Sequence, residues 1–467
     1  KEKGGFDVVI GNPPYVGEKG NKEIFRPIAK GNLRKFYQGK MDLFYFFFHL
    51  ALELGRKSAQ NAFITTNYYI TASGGKKLRT DLKERATIRN LINFNELRIF
   101  ESALGQHNLI TIFSKEQNSE KLAHTCITSR TGNANEKILN AIVSGQDKET
   151  QYYEVEQEKL YDGEENYIRL GGIGNFDNPI EEILDKMKKD SVLLNNFCFI
   201  NTGFNSGADR VTKNNLKQII AKEPYAIGDG IFIISKDQLK KLELESDLIY
   251  QFYKNSNISR YYKSNTSLYC IYTNKQTKLD NYPKIKKHLE YFKPFLEIKR
   301  EYLTGQLPWY SMHWPRDNDV FINSDKIIFP YRAKMNIFAY SSEPFFGSKD
   351  ILYLRKKENS GIELKYILAL LNSKLYYQWI YCRGKRKGET LELYQKPISE
   401  IPINKISMEA QKPFIDLVDK ILEITSAEDY DPKNPPQEQK ELEKQIDKMV
   451  YELYGLTEEE IKIVEDS

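Results

Sequence analysis

The sequence predicts an α/β protein: an alternating α/β domain with a partly parallel sheet, then a mixed α/β domain, then a helical tail. Three observations predict it. Strand-like and helix-like patterns alternate over residues 6–130; short strands, turns and a few helices mix over residues 190–405; amphipathic helical periods close the chain over residues 406–467. With 467 residues, 40% of them apolar, there is material for more than one core.

Taken in order, FDVVIG (Phe6 to Gly11) is apolar and β-branched and reads as a buried strand. MDLFYFFFHLALELG (Met41 to Gly55) has the length and near-continuous apolarity of a buried helix, with Gly55 at its end. NAFITTNYY (Asn61 to Tyr69) is a strand, and SGGKKLRTDLKERA (Ser73 to Ala86) an amphipathic helix. IRNLINFN (Ile88 to Asn95) and NLITIFSK (Asn108 to Lys115) are strands, giving βαβαββ with a partly parallel sheet. Residues 131–189 are polar and strand-poor and are expected to be a linker between a first domain (1–130) and a second (190–405). The second domain ends on an apolar helix, Leu364 to Tyr381, and a basic loop with glycine at each end, RGKRKG (Arg383 to Gly388). In the tail, residues 408–425, 438–454 and 457–466 carry helical periods, with Thr457 and Glu460 spaced as a capping box.

Composition narrows the class. No run of 18 apolar residues exists, so no membrane-spanning helix is expected, and the polar Lys1 to Gly5 does not resemble a signal peptide. Four cysteines stand far apart without a CxxC pair; this argues against zinc and a disulfide framework and suits a reducing cytoplasm. Charge is uneven: residues 251–400 hold 26 Lys and Arg against 14 Asp and Glu, while residues 401–467 hold 8 against 17. A basic block beside an acidic tail suits a nucleic-acid binder, and so do the 31 tyrosines, which can stack on bases.

The chemistry concentrates at Asn12-Pro13-Pro14-Tyr15, directly after the first strand. In open α/β sheets, ligands bind beyond the carboxyl ends of strands. An exocyclic amine on adenine is a poor nucleophile because its lone pair is delocalised into the ring. Two acceptors drawing on its N–H groups shift the nitrogen toward sp³; Asn12 Oδ1 and the Pro13 carbonyl can be those acceptors. Paired prolines fix the carbonyl's direction, and Tyr15 can stack on the base once it has left the duplex. The same tetrapeptide also reads as a plain rigid turn after a strand.

These residues resemble motif IV of the N6-adenine DNA methyltransferases, and the next 100 residues are similar to that family in order. The helix at Met41 to Gly55, the NAFITTNYYITASGGKKLR segment (with Thr66 where the family has proline) and LINFNELRIFESALGQHNLITIF all follow its pattern. Phe100 stands where the family places a second ring against the flipped base. FINTGFNSGADRVTK (Phe199 to Lys213), LPWYSMHWPRD (Leu307 to Asp317), KIIFPYRAKMNIFAY (Lys326 to Tyr340) and Leu368 to Ile403 resemble the specificity domain of TaqI-like and Eco57I-like enzymes.

The resemblance implies the C-terminal half of a Rossmann-like methyltransferase sheet, in a γ-ordered, type IIG restriction–modification enzyme acting on double-stranded DNA in the cytoplasm, with S-adenosylmethionine as methyl donor. Its glycine-rich cofactor motif is expected in an N-terminal portion of the same protein, upstream of Lys1. These residues alone are therefore expected to hold the cofactor weakly and to be inactive. GGIGNF (Gly171 to Phe176) reads as a turn. No copy of a PD-(D/E)xK nuclease is found, no metal ligands are assigned, and Mg2+ is expected only with an upstream nuclease domain. Phosphate-neutralising candidates are Arg332, Lys334, Arg383, Lys385, Arg386 and Lys387, the last four on a loop read as mobile. His107 and His313 are left without a role. Two alternatives stay open: a non-catalytic DNA-binding specificity subunit, and methylation of RNA or a protein glutamine.

Overall fold

The alternating pattern at the start of the chain becomes a six-stranded sheet in a computed structural model, which describes residues 4–101, 105–116, 120–172, 179–219, 225–322 and 325–466. The described residues form two compact units. The first comprises residues Lys1–Lys189, Lys385–Leu391 and Leu456–Ser467; the second comprises Asp190–Gly384 and Glu392–Gly455.

The strands of the first unit are β1 (Phe6–Gly11), β2 (Gly55–Thr66), β3 (Thr87–Asn93), β4 (Asn108–Ser114), β5 (Leu122–Thr128) and β6 (Thr150–Glu156). Their order is β1-β2-β4-β3-β5-β6. β1 lies parallel to β2, and β3 parallel to β5, while β4 runs antiparallel to both of its neighbours. Among the helices of this unit are α1 (Lys22–Lys30), α2 (Phe44–Leu54), α3 (Lys76–Arg85) and α4 (Glu136–Val143). α2 is apolar nearly all round because it is buried nearly all round. Its Phe48 ring stacks on Phe113 at 5.5 Å and tilts against Phe63 at 5.0 Å. Burying each such ring is worth about 1.5–3 kcal/mol.

Two expectations are corrected here. β1 is not a buried strand: Phe6, Val8 and Ile10 are 60%, 61% and 78% exposed. β1 is the edge strand of the sheet, and that alternate set faces away from the core into which Val9 packs. Residues 131–189 are not a linker. They supply α4, β6 and the helix Pro179–Lys188, and β6 pairs with β5 along its whole length. GGIGNF lies mostly outside the described residues.

The second unit holds two four-stranded sheets. One runs Cys198–Thr202, Ile351–Lys356, Lys326–Pro330, Ala339–Ser341 in spatial order, with antiparallel neighbours. The other runs Ile233–Ser235, Leu268–Ile271, Ile249–Tyr253, Phe346–Gly347. The expected helix over 364–381 is two helices, Leu364–Asn372 and Lys374–Arg383. They break at Ser373, whose hydroxyl accepts the Tyr376 N–H as the cap of the second. The tail forms helices Met408–Thr425, Gln437–Leu453 and Glu458–Asp466; the last is opened by the Thr457–Glu460 capping box. Among the described residues no helix is long and apolar enough to cross a membrane.

α2 is pinned to α3 by a buried pair, His49 Nδ1 to Asp81 Oδ2 at 2.6 Å, with the imidazole stacked on Phe36 at 3.8 Å. Burial pushes the His49 pKa below its usual 6.5, outweighing the attraction of Asp81, while Arg85 and Lys35 push the same way as burial. Burial raises Asp81, but the hydrogen bonds from His49 and Arg85 win and hold it below its usual 3.8. Both groups therefore bind protons less readily folded than unfolded, so their contribution is complete above pH 6.5 and falls as acid is added. Melting temperature is expected to drop between pH 7 and pH 5, and the drop should shrink in His49→Gln; calorimetry at both pH values checks it. A residual drop is expected from His288, which burial also pushes down.

Candidate functional site

Strand register brings the candidate segment Asn12 to Tyr15 and the turns after β2 and β3 to one end of the sheet. Gly11, the last residue of β1, pairs with Phe63, so Asn12 to Tyr15 run beside the final turns of β2. At that same end β2 ends on Thr66, opposite Asn108 at the start of β4, and β3 ends on Asn93, opposite Leu109. The first half of the site is thus the segment after β1, the turn after β2, the turn after β3 and the residues opening β4.

Within Asn12 to Tyr15, Pro13 is buried, Asn12 and Pro14 are exposed and Tyr15 is half-buried. The Tyr15 hydroxyl donates to the Ile64 carbonyl at 3.0 Å, and its ring meets Phe44 edge-on at 6.0 Å. Burial pushes its pKa up, opposed by a hydrogen bond with Asn108. Downstream, the Leu43 N–H donates to the Val16 carbonyl at 2.8 Å and Gly17 bridges Asp42, so the segment is held at both ends. The Asn12 carboxamide hydrogen-bonds to no other described residue. Phe100 is half-buried and has no ring partner among the described residues. Tyr15 and Phe100 are not in ring contact with each other.

The turns after β2 and β3 are knitted by asparagines that the sequence reading passed over. Asn67 Nδ2 donates to Asn93 Oδ1 at 3.2 Å, and the Asn95 N–H donates to the same oxygen at 3.1 Å. Asn95 takes a left-handed φ of 45°, which asparagine tolerates. His107 is buried; its Nδ1 lies 2.8 Å from the Asn95 carbonyl, and its own carbonyl accepts the Asn67 N–H at 2.8 Å. It is thus a bracing residue between two turns. The turn that carries Tyr68 is fixed from below by the buried Arg79, which donates to the carbonyls of Tyr69 and Ala72, both at 2.7 Å, and of Glu165 at 3.0 Å. Burial lowers its pKa to about 10.

The basic stretch expected to be a mobile DNA loop is instead a strap on this end of the sheet. Arg386 and Lys387 pair antiparallel with Leu391 and Thr390. Asn95 Nδ2 donates to Glu389 Oε1 at 2.8 Å, and the Glu389 N–H donates to Glu96 Oε1 at 3.2 Å. Lys387 Nζ lies 5.9 Å from the centre of the Tyr68 ring, and that ring lies 6.4 Å from His107. Lys385, Arg386 and Lys387 are half-buried.

In the second unit two further expected cations are engaged or hidden. Arg332 donates twice to Glu392 Oε1, at 3.0 and 2.6 Å, and Arg383 is 6% exposed at the end of its helix, so it is no surface cation. Lys334 is exposed and forms no ion pair with a described residue. His313 pairs with Glu301 at 2.6 Å and stacks on Trp314 at 4.6 Å. Among the described residues no group of three or more His, Cys, Asp or Glu side chains is placed to hold a metal ion.

Residues 1–100 match the Eco57I restriction-modification methylase family, and residues 250–403 match the TaqI-like C-terminal specificity domain. The Type II methyltransferase M.HindII of Haemophilus influenzae is 24% identical over 422 residues, covering 87% of this chain and 76% of that protein. M.HincII of Haemophilus influenzae is 25% identical over the same length, covering 87% and 75%. In fold, the chain is similar to the Type IIL restriction-modification enzyme MmeI, solved in complex with DNA. The TM-score is 0.63 at 15% identity, over 98% of this chain and 57% of that one.

Proposed function

We propose that this chain, which carries an Eco57I-like methyltransferase segment followed by a TaqI-like specificity domain, is the base-accepting and DNA-recognising part of a type IIG enzyme that methylates adenine N6. The observation that carries the reading is Asn12: an exposed carboxamide that hydrogen-bonds to no other described residue, on a doubly proline-stiffened segment at the carboxyl end of β1. A flipped adenine donates its two amino hydrogens to Asn12 Oδ1 and the Pro13 carbonyl. The nitrogen lone pair is thereby localised and turned outward. Tyr15 stacks on one face of the base, and Phe100 is the candidate for the other. Aromatic stacking worth roughly 1–3 kcal/mol per base offsets part of the cost of extrusion.

S-adenosylmethionine supplies the methyl group when bound. No described residue of this chain makes the glycine-rich turn after a strand that would hold it, so the acceptor half is the part that these residues provide. The exposed apolar face of β1 and its place at the edge of the described sheet support a partner that continues the sheet there, assigned here to an N-terminal portion of the same protein. DNA is recognised by the second unit.

The test is product analysis. The full-length protein is incubated with methyl-labelled S-adenosylmethionine and a duplex library, and the DNA is digested to nucleosides. Label in N6-methyladenine is expected. Label in cytosine, in RNA or in a protein glutamine overturns the assignment, and a protein that binds duplex yet transfers no label is a specificity subunit.

A further inference from the structure

The second unit contains a cavity of about 710 Å³ that no step above uses. One wall is the loop Asn205–Arg210, a second is Lys299–Glu301 with His313, and a third is Ser348–Asp350, with Lys254 at its margin. We propose that this cavity is a phosphate-binding site and that the phosphates it takes are those of the DNA backbone.

Three observations carry it. The first is a concentration of positive charge. Arg210, Lys254, Lys299, Arg300 and Lys349 all line the cavity, and none forms an ion pair with a described residue. Other cations of the same unit do form ion pairs, among them Lys263 with Glu343, Lys284 with Glu243, Arg260 with Glu443 and Arg332 with Glu392. The cavity also holds Asp209, Glu301 and Asp350; Asp209 accepts from the Ser206 hydroxyl, and Glu301 pairs with His313 while also attracting Lys299 and Arg300. Five cations against three carboxylates leave positive charge in excess in this cavity.

The second is Lys299. Its ammonium donates to the Ser311 carbonyl at 2.7 Å and lies 5.2 Å from the centre of the Phe232 ring; it forms no salt bridge with a described carboxylate, though Glu301 attracts it from farther off. Burial lowers its pKa to about 8. A half-buried ammonium with one neutral acceptor retains two donors, and an anion brought into the cavity offsets its desolvation.

The third is a preformed loop. The Gly207 N–H donates to Asn205 Oδ1 at 3.2 Å and the Ala208 N–H to the Ser206 hydroxyl at 3.2 Å, so the loop is locked by its own side chains. Gly207 has a φ of +77°, and a Cβ there would lie 2.9 Å from the Cβ of His313 and 3.4 Å from Lys299 Cδ. Glycine thus lets the loop close onto the lysine stem and fixes the cavity's width before any ligand arrives.

The phosphate chemistry follows from these groups; only its source in DNA rests on the function proposed above. The experiment is a salt titration of binding to a fluorescent duplex, with wild type and the exposed triple variant Lys254→Ala/Arg300→Ala/Lys349→Ala. Melting curves control for folding. A parallel arm follows inorganic phosphate by 31P line broadening. Each phosphate left without its cation is expected to lower the slope of log K against log salt by roughly 0.9, so the triple variant should bind at least about tenfold more weakly at low salt with a visibly shallower slope. Unchanged affinity and slope, with inorganic phosphate broadened equally by both proteins, overturn the site. Phosphate binding abolished in the variant with duplex binding unaltered supports the cavity but overturns DNA as its source. A wild type that binds no duplex sinks the functional reading, and the phosphate arm then decides the cavity alone.

Discussion

Asn12→Ala is expected to lower methyl transfer to adenine by roughly 10²- to 10³-fold while leaving the fold intact, the loss typical of deleting one preorganised polar group that faces a transition state. The two halves of that statement have separate grounds. Asn12 is exposed and makes no hydrogen bond to a described residue, so deleting its amide removes nothing that holds the protein together, and melting temperature should not move. Surface changes of that kind stay within about 0.5 kcal/mol. The chemistry, by contrast, loses one of the two acceptors that localise the lone pair. Single-turnover rates with saturating duplex separate the step from binding. A fall in rate at constant duplex affinity is the expected pattern. Asn12→Asp keeps an acceptor oxygen and should retain more activity than the alanine variant. Equal rates for wild type and Asn12→Ala would remove the tetrapeptide from the reaction.

How much of this is legible in the sequence depends on the range of the interactions involved. α2, α3 and the strands β2 to β4 follow from local sequence pattern, α2 from its near-continuous apolarity and the others from the alternation of buried and exposed positions. β6 is hidden for the same reason that makes it stable: TQYYEVE keeps Thr150 and Val155 inside and turns most of its other residues outward, so it looks polar. β1 misleads in the other direction. Its apolar residues imply burial, and a single sequence does not reveal that the strand stands at an edge. At the site, the stiff segment can be read directly, since prolines act on their own backbone. The asparagine net cannot, since Asn67, Asn93 and Asn95 become meaningful only once β2 and β3 end side by side.

The strap is the extreme case of that dependence: Asn95 and Glu389 are 294 residues apart in sequence, and no local pattern announces their hydrogen bond. Its hinge is Gly388. With φ at +56°, Gly388 occupies a conformation that costs other residues about 1–2 kcal/mol, and a Cβ there would lie 2.8 Å from His107 Cε1 and collide with the Glu96 carboxylate. Gly388→Val is therefore expected to unseat Lys387 to Glu389 from that end of the sheet. The Asn95 amide then loses its acceptor, and the turn that braces His107 against Asn67 loosens. If the strap walls the pocket that receives the base, methyl transfer should fall by roughly 10- to 100-fold, equivalent to about 1.4–2.8 kcal/mol of lost positioning, with the salt dependence of duplex binding preserved. Glu389→Gln retains an acceptor for Asn95 and should behave nearly as wild type, whereas Glu389→Ala should follow the valine variant. Full activity in both Gly388→Val and Glu389→Ala would show that the strap is packing alone and that the base pocket is complete without it.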